Sequence, residues 1–414
     1  MRRAMPGWAR LLSSLPPVLA LLAALVLCGA RSPEARPQNL EQLADITRYL
    51  VDVPMPGTIT ALYRPRYESV SEADLKMTRG EPAFVVMLPE GPRIYPQRYM
   101  VWHQVVNELI NDYAYAITYC PITGTLMAYD ASMQGLNLIF DVESHSGTGG
   151  TAGFLYDGNS VLTDRNSGSL WLQEMGMAFE GPLLGRGMPT VPVFWTTWGA
   201  ASSVFPEARV LAKPRGRRPY GRDPYGSYLK KDTYYDNDTL AYQPRWMDRR
   251  FHRKTPMLCL EYDHFLLAVD IAYVKKKGAV NFFLGPAPLL AVHDKRLDVV
   301  RIYSRQVWAE PFLFVMQDGR LVDINTKSVW DAATGKATEG NMRGASMKEF
   351  FGVYSMWFAW YSLNPETLVI PGPGEVPAHL LSTDAPGVGD VPETPRDGAG
   401  EQSLPGGPRW EPAL

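Results

Sequence analysis

The chain of 414 residues is 46% hydrophobic and 20% charged, with a net charge of −2. That is the composition of a globular protein long enough for more than one domain, and its near-zero charge excludes a surface built to coat nucleic acid or an anionic membrane. The 11 tryptophans and 21 tyrosines carry apolar rings with polar tips, suited to sheet faces and ligand clefts.

Arg2, Arg3 and Arg10 surround the start of an apolar run, Leu15 to Leu27, that is short for a membrane span. Cys28-Gly29-Ala30 then supplies small residues. This pattern predicts a secretory signal peptide over residues 1–30, cut after Ala30, with a periplasmic or extracellular mature protein. Acylation at Cys28 would instead leave a lipid anchor, but Leu27 stands where a small residue is expected. No other stretch is long and apolar enough to span a membrane, so no transmembrane span is expected in the mature chain. Cys120 and Cys259 are the cysteines then left, too few for a disulfide framework or a four-thiolate zinc site.

Residues 31–81 read as a linker with N-terminal helices. NLEQLADITRYLV (Asn39 to Val51) fits an amphipathic helix, and SEADLKM begins another with Ser71 as N-cap. Next comes a repeat. Asp164, Ser169, Trp171, Gly176, Ala178, Glu180, Gly181 and Gly185 recur 159 positions later as Asp323, Ser328, Trp330, Gly335, Ala337, Glu339, Gly340 and Gly344. Trp195 and Trp198 align with Trp357 and Trp360 after a further three-residue shift. The expected architecture is therefore α+β, mainly β: two duplicated β-rich units with short helices, pseudo-two-fold related. Unit one spans 82–212 and unit two spans 255–370. Each opens with a strand pair (AFVVMLP and RIYP; MLCLEY and FLLAVD) and closes with a Trp-bearing helix (TTWGAASSVF; YSMWFAWYSL). Between them, 213–254 is a basic, tyrosine-rich crossover, read as a solvated loop or as a surface for an anion or polysaccharide. Residues 371–414, dominated by Pro, Gly and acids, read as a disordered tail.

In unit one, QRYMVWHQVVNEL reads as a helix burying Trp102, Val105, Val106 and Leu109, with His103 and Asn107 together on its flank. YAITYCP then alternates as a strand that Pro121 ends, leaving Cys120 at a strand terminus. There a thiol can face a cleft, or pack as a small apolar group. Cys120 and Thr123 form CxxT, which excludes exchange between neighbouring thiols. Aligning Asn107 with Asn281 places Lys277 at the His103 position and Asp294 at the Cys120 position. The Cys/His pair thus belongs to unit one alone. His145 precedes the glycine-rich GTGGTAG, but the hairpin pattern FLYDGNSVLTD that follows excludes a dinucleotide loop. Asp164 recurs and reads as a turn cap, whereas Arg165 becomes Ile324 and reads as a residue of a unit-one site. Asp223-Pro-Tyr225-Gly-Ser-Tyr228 is a compact turn.

The order of Tyr95-Pro96, WHQVVNE, TYCPITGT, FLYDGNSVLTDRNSGSLWLQ, GPLLG, TTW and DPYGSY resembles a bacterial family of often-exported proteins, domain of unknown function 3179, from about Pro82 to Ile370. The resemblance implies no reaction. It marks His103, Asn107, Cys120, Pro121, Tyr156, Asp164, Arg165, Ser169, Trp171, Gln173, Asp223, Tyr225 and Tyr228 as family positions. Gln104 stands where the family usually has an acid, and Thr123 where many members have a second cysteine.

Two functional readings stand side by side. In the first, Cys120 and His103 form a thiolate–imidazole site. Cys120, His103 and Arg165 are its catalytic candidates, and Cys120, His103 and His145 its metal-ligand candidates. Such a set would be soft enough for copper or another transition metal. In the second, the protein is a non-catalytic envelope module binding a small molecule or saccharide in an aromatic cleft between the units. Asn107, Tyr156, Gln173, Asp223, Tyr225 and Tyr228 are its ligand-binding candidates. Nucleic acid is not an expected partner, and oligomeric state is left open.

Overall fold

Runs rich in β-branched and aromatic residues, broken every few positions by Gly, Asn or Asp, dictate many short strands. The computed structural model describes Ile46 and residues 50–54, 59–133, 135–143, 152–156, 159–308 and 310–376. It is mainly β, with a few short helices. Among the described residues, no helix is long and apolar enough to cross a membrane.

In the first half, Pro82–Leu88 pairs antiparallel with Gly91–Pro96 on one side and Val193–Thr197 on the other. Arg209–Leu211 runs parallel to Gly91–Pro96. The second half uses the same pairings. Pro256–Tyr262 lies antiparallel to Phe265–Asp270 and Val353–Met356, and Leu368–Ile370 runs parallel to Phe265–Asp270. A seven-residue helix follows each strand pair, Gln97–His103 and Ile271–Lys277. An antiparallel three-strand meander follows each helix, Val105–Asp130 and Ala279–Ser304.

Side chains recur with the strands. The Asn107 amide donates to Phe140 C=O and accepts from Phe140 N–H, at 2.9 and 2.7 Å. Asn281 treats Phe314 in the same way, at 2.7 and 2.9 Å. The indoles of Trp171 and Trp330 donate to Asp164 and Asp323, at 2.9 and 2.8 Å. Asp164 also caps its turn by accepting from Ser167 N–H. Gly181 and Gly340 both have positive φ, and a methyl at either would strike Ser169 or Ser328.

The halves join in one eight-stranded sheet, where Leu126 in Thr125–Asp130 pairs with Tyr354 in Val353–Met356. A hydrogen bond from the Thr196 hydroxyl to Leu297 C=O links them elsewhere. One buried cluster contains Phe84, Tyr119 and Leu126 of the first half with Leu258, Phe282 and Ile302 of the second.

Several expected elements differ. The helix stops at His103, because Gln104 takes a left-handed conformation with φ 57°. Val105 and Val106 then begin the strand Val105–Ile110, which suits β-branched residues. Asn107 is therefore on a strand, and Leu109 is 48% exposed rather than buried. Leu50 and Val51 lie in the strand Leu50–Pro54, paired with Ala152–Tyr156, and not at the end of a helix. Apart from Ile46, the rest of the Asn39 to Val51 stretch lies outside the described residues. Ser69, not Ser71, caps the next helix through a capping box with Glu72. Leu62–Tyr63 and Tyr67–Ser69 add strands to the two sheets, so folded structure begins before Pro82. Trp198 and Trp357 each open a seven-residue helix, so the offset of 159 holds there without the three-residue shift. The signal-peptide residues with Cys28, His145 with the glycine-rich residues 146–151, and residues 377–414 of the expected tail lie outside the described residues.

Candidate functional site

Cys120 ends the strand Tyr113–Cys120, as its following proline requires. Pro121–Gly124 turns the chain back, with Gly124 at φ 64°. The thiol does not face a cleft: Cys120 is 0% exposed. Burial raises its pKa, against hydrogen bonds from the Thr123 hydroxyl and the amides of Thr123 and Ile122. A desolvated thiol of this kind is a poor nucleophile. Cys259 is also buried.

The crossover covers this turn with tyrosines. Tyr225, Tyr228, Tyr234, Tyr235 and Tyr242 pack in one cluster with Cys120, Ile122 and Met356. Tyr234 OH donates to Ile122 C=O at 2.9 Å. The Tyr119 and Tyr228 hydroxyls share a hydrogen bond of 3.0 Å, and the Tyr228 and Tyr235 rings stack at 3.7 Å. Asp223 organises the segment. Its carboxylate accepts from Gln97 Nε2 at 2.8 Å, Tyr235 OH at 2.9 Å and Tyr225 N–H at 2.9 Å. Burial raises the Asp223 pKa, and those three donors oppose the rise. At the far end, buried Lys254 donates to Tyr234 C=O, to Asn237 Oδ1 at 3.1 Å and to Thr239 C=O at 2.6 Å. The basic crossover is thus a strap stitched to the sheet.

His103 has other partners. Its Nδ1 lies 2.6 Å from Thr60 C=O and its Nε2 2.7 Å from Tyr220 OH. The carbonyl can only accept, so Nδ1 carries the proton and Nε2 accepts from the tyrosine. Both ring nitrogens are used. Among the described residues, no three of His, Cys, Asp and Glu gather as a metal site. Arg165 sits at the surface, paired with Asp141 at 2.6 Å and lying over the Tyr63 ring. Tyr156 OH accepts from Arg245 at 2.8 Å. Gln173 is buried and donates to Thr118 Oγ1 and Thr125 C=O, both at 3.1 Å. Asn107 is consumed by the contact that Asn281 duplicates. Of the sequence-derived candidates, the structure gathers Cys120, Asp223, Tyr225 and Tyr228. It adds Gln97, Tyr119, Tyr234 and Tyr235. Tyr119 adjoins the cysteine, and Tyr234-Tyr235 is a conspicuous pair in the crossover sequence.

Beside this cluster lies a cavity of about 270 Å³ at the seam between the halves. Its walls come from both halves. Pro82 and Gly124 of the first half line it, as do Pro256 and Asp298, 174 positions later, in the second. Trp195, Thr196 and Thr197 line it from the first half and Tyr354, Ser355 and Met356, 159 positions later, from the second. Tyr228 and Leu229 of the strap close one side, and Ile271 and Lys275 of a helix the other. Trp195 is the aromatic hinge. Its ring meets Phe84, Tyr119, Tyr228 and Tyr354 at centroid distances of 5.0, 5.5, 5.2 and 6.3 Å. A larger groove of about 790 Å³ runs along another face. Its buried charges are spent on one another, with Arg301 bonded to Asp294 and Glu349 at 2.9 and 2.8 Å.

Comparison with curated proteins gives no match, and comparison with solved structures gives none. A family model described as Protein of unknown function (DUF3179) matches residues 56–367. The match takes in both halves, the strap between them, and the early strands Leu62–Tyr63 and Tyr67–Ser69. The chain therefore belongs to this family of proteins of unknown function.

Proposed function

We propose that this is an exported, non-catalytic binding protein, built from two copies of one unit about a pseudo-two-fold axis. It holds a small ligand in the cavity on that axis. The carrying observation is the seam cavity, lined by residues of both halves with Trp195 and Tyr354 among them; wall residues that stand 159 and 174 positions apart support the two-copy reading. Apolar walls with a few polar groups are the usual make-up of a ligand site. Thr196, Thr197 and Ser355 supply hydroxyls, and the strap makes the two ends of the cavity unlike. The thiolate reading is weaker, because Cys120 is sealed beneath Met356 and tyrosines while His103 has spent both nitrogens.

Titration with the neutral fluorophore N-phenyl-1-naphthylamine tests the proposal. Wild type should bind it saturably, with quenching of tryptophan emission. Trp195→Ala should weaken binding, and Gly80→Trp should abolish it, since Gly80 lines the cavity and an added Cβ meets Leu229 Cδ2 of the opposite strap only at 4.0 Å. Absence of saturable binding to wild type would refute the reading.

A further inference from the structure

The cavity is apolar within and basic at its rim. Ile271 and Lys275 lie one turn apart on the helix Ile271–Lys277, so both face the cavity. Lys275 Nζ contacts Asp298 Oδ1 at 2.8 Å, and His293 Nε2 lies 2.9 Å from the same oxygen. Partial burial works against the Asp298 charge, yet hydrogen bonds from Lys275 and His293 leave its pKa below the ordinary carboxylate value. That pair alone is neutral. The surrounding chain is not. Exposed Arg79 adjoins the wall residue Gly80, exposed Lys230 and Lys231 follow Leu229, and exposed Lys276 and Lys277 follow Lys275. Arg79, Lys230 and Lys231 form no ion pair among the described residues. Nearby, Glu81, Asp232, Asp270 and Asp298 are the opposing acids, four against the six cations Arg79, Lys230, Lys231, Lys275, Lys276 and Lys277. Lys275 lies in the wall itself, and the three segments that border the cavity carry an excess of cations, an arrangement that draws in anions.

We propose that the ligand is a small amphipathic anion. Its apolar body would pack against Trp195, Tyr354 and Met356, and its acidic head would take Lys275 in exchange for part of the Asp298 contact. Asp298, held by His293, stays in place as the second partner of the ammonium. A carboxylate and a sulfonate share the required chemistry. The inference rests on the seam-cavity reading, but it is tested separately from it.

The test displaces N-phenyl-1-naphthylamine from wild type with three ligands of like shape: 2-naphthoate, 2-naphthalenemethanol and 2-naphthylmethylammonium. The carboxylate should compete about tenfold more strongly than the alcohol, the scale of one charge-assisted hydrogen bond, and the ammonium least. Raising salt should shrink the carboxylate's advantage. In Lys275→Gln the ratio of carboxylate to alcohol affinity should fall to about unity. Equal competition by all three, or preference for the ammonium, would overturn the anion assignment while leaving the cavity reading intact. Failure of the fluorophore to bind wild type would overturn both.

Discussion

Gly124 and Met356 meet across the seam. Met356 N–H donates to Thr123 C=O at 2.8 Å, and a methyl at Gly124 would fall 3.0 Å from Met356 Cγ. The turn after Cys120 and the floor of the cavity are therefore one piece. Gly124 also has φ 64°, which an L side chain adopts at a cost of about 1–2 kcal/mol. Gly124→Ala should lower unfolding stability by about that much, read from urea midpoints. It should also weaken fluorophore binding, because Gly124 and Met356 both line the cavity and Met356 must shift to admit the methyl.

Cys120 should behave as a packing residue. In the native protein, a thiol reagent such as 5,5′-dithiobis(2-nitrobenzoate) should leave it unmodified, and denaturant should expose it to complete reaction. Cys120→Ala should cost on the order of 1 kcal/mol of stability with fluorophore affinity kept. Rapid native labelling would return the thiolate reading to first place.

The two asparagines offer a matched pair of tests. Asn107→Ala strands the buried N–H and C=O of Phe140, and Asn281→Ala strands those of Phe314. Each should destabilise by about 1–3 kcal/mol, measured by chemical denaturation. Near-equal losses mark a shared structural duty. A much larger effect on binding from Asn107→Ala than from Asn281→Ala would mark Asn107 as a ligand residue after all.

His103 makes stability depend on pH. Burial lowers its pKa below the ordinary 6.5, with Arg218 adding to the shift and the Thr60 hydrogen bond opposing it. The unfolded chain therefore binds a proton, as pH falls below about 6.5, that the folded chain resists. Stability from this group is present above pH 6.5 and lost on acidification. In urea titrations from pH 7.5 to 5, His103→Gln should flatten part of that loss. An unchanged slope would show that the fold does not hold His103 neutral.

Much of the organisation was legible in the sequence because it rests on local chemistry. Pro121 had to end a strand. Asp164 and Asp323 had to cap turns beside tryptophans, and the opening strand pair of each half alternates clearly. The His103 region was misread for a physical reason. Trp102, Val105, Val106 and Leu109 happen to keep helical spacing, yet Gln104 turns left-handed and the valines pair in a sheet. Only a long-range ladder with Tyr113–Cys120 decides between the two periods. The strap was equally opaque. Its tyrosines are ordered by Asp223, Gln97 and Lys254, partners up to 138 positions apart in sequence, and composition cannot tell such a segment from a solvated loop. The seam cavity was opaque too, since its walls come from residues of both halves far apart in the chain, such as Trp195 and Tyr354, and their convergence needed the fold.

The single pairing of Leu126 with Tyr354 has a consequence for how such a chain can exist at all. Thr125–Asp130 and Val353–Met356 are each an outer strand until the other half arrives. Alone, either half would present an unsatisfied, largely apolar edge, the kind of template that recruits further chains. Covalent linkage through the strap keeps the proper neighbour at high local concentration. The connection between the halves is thus a safeguard against aggregation as much as a wall of the cavity.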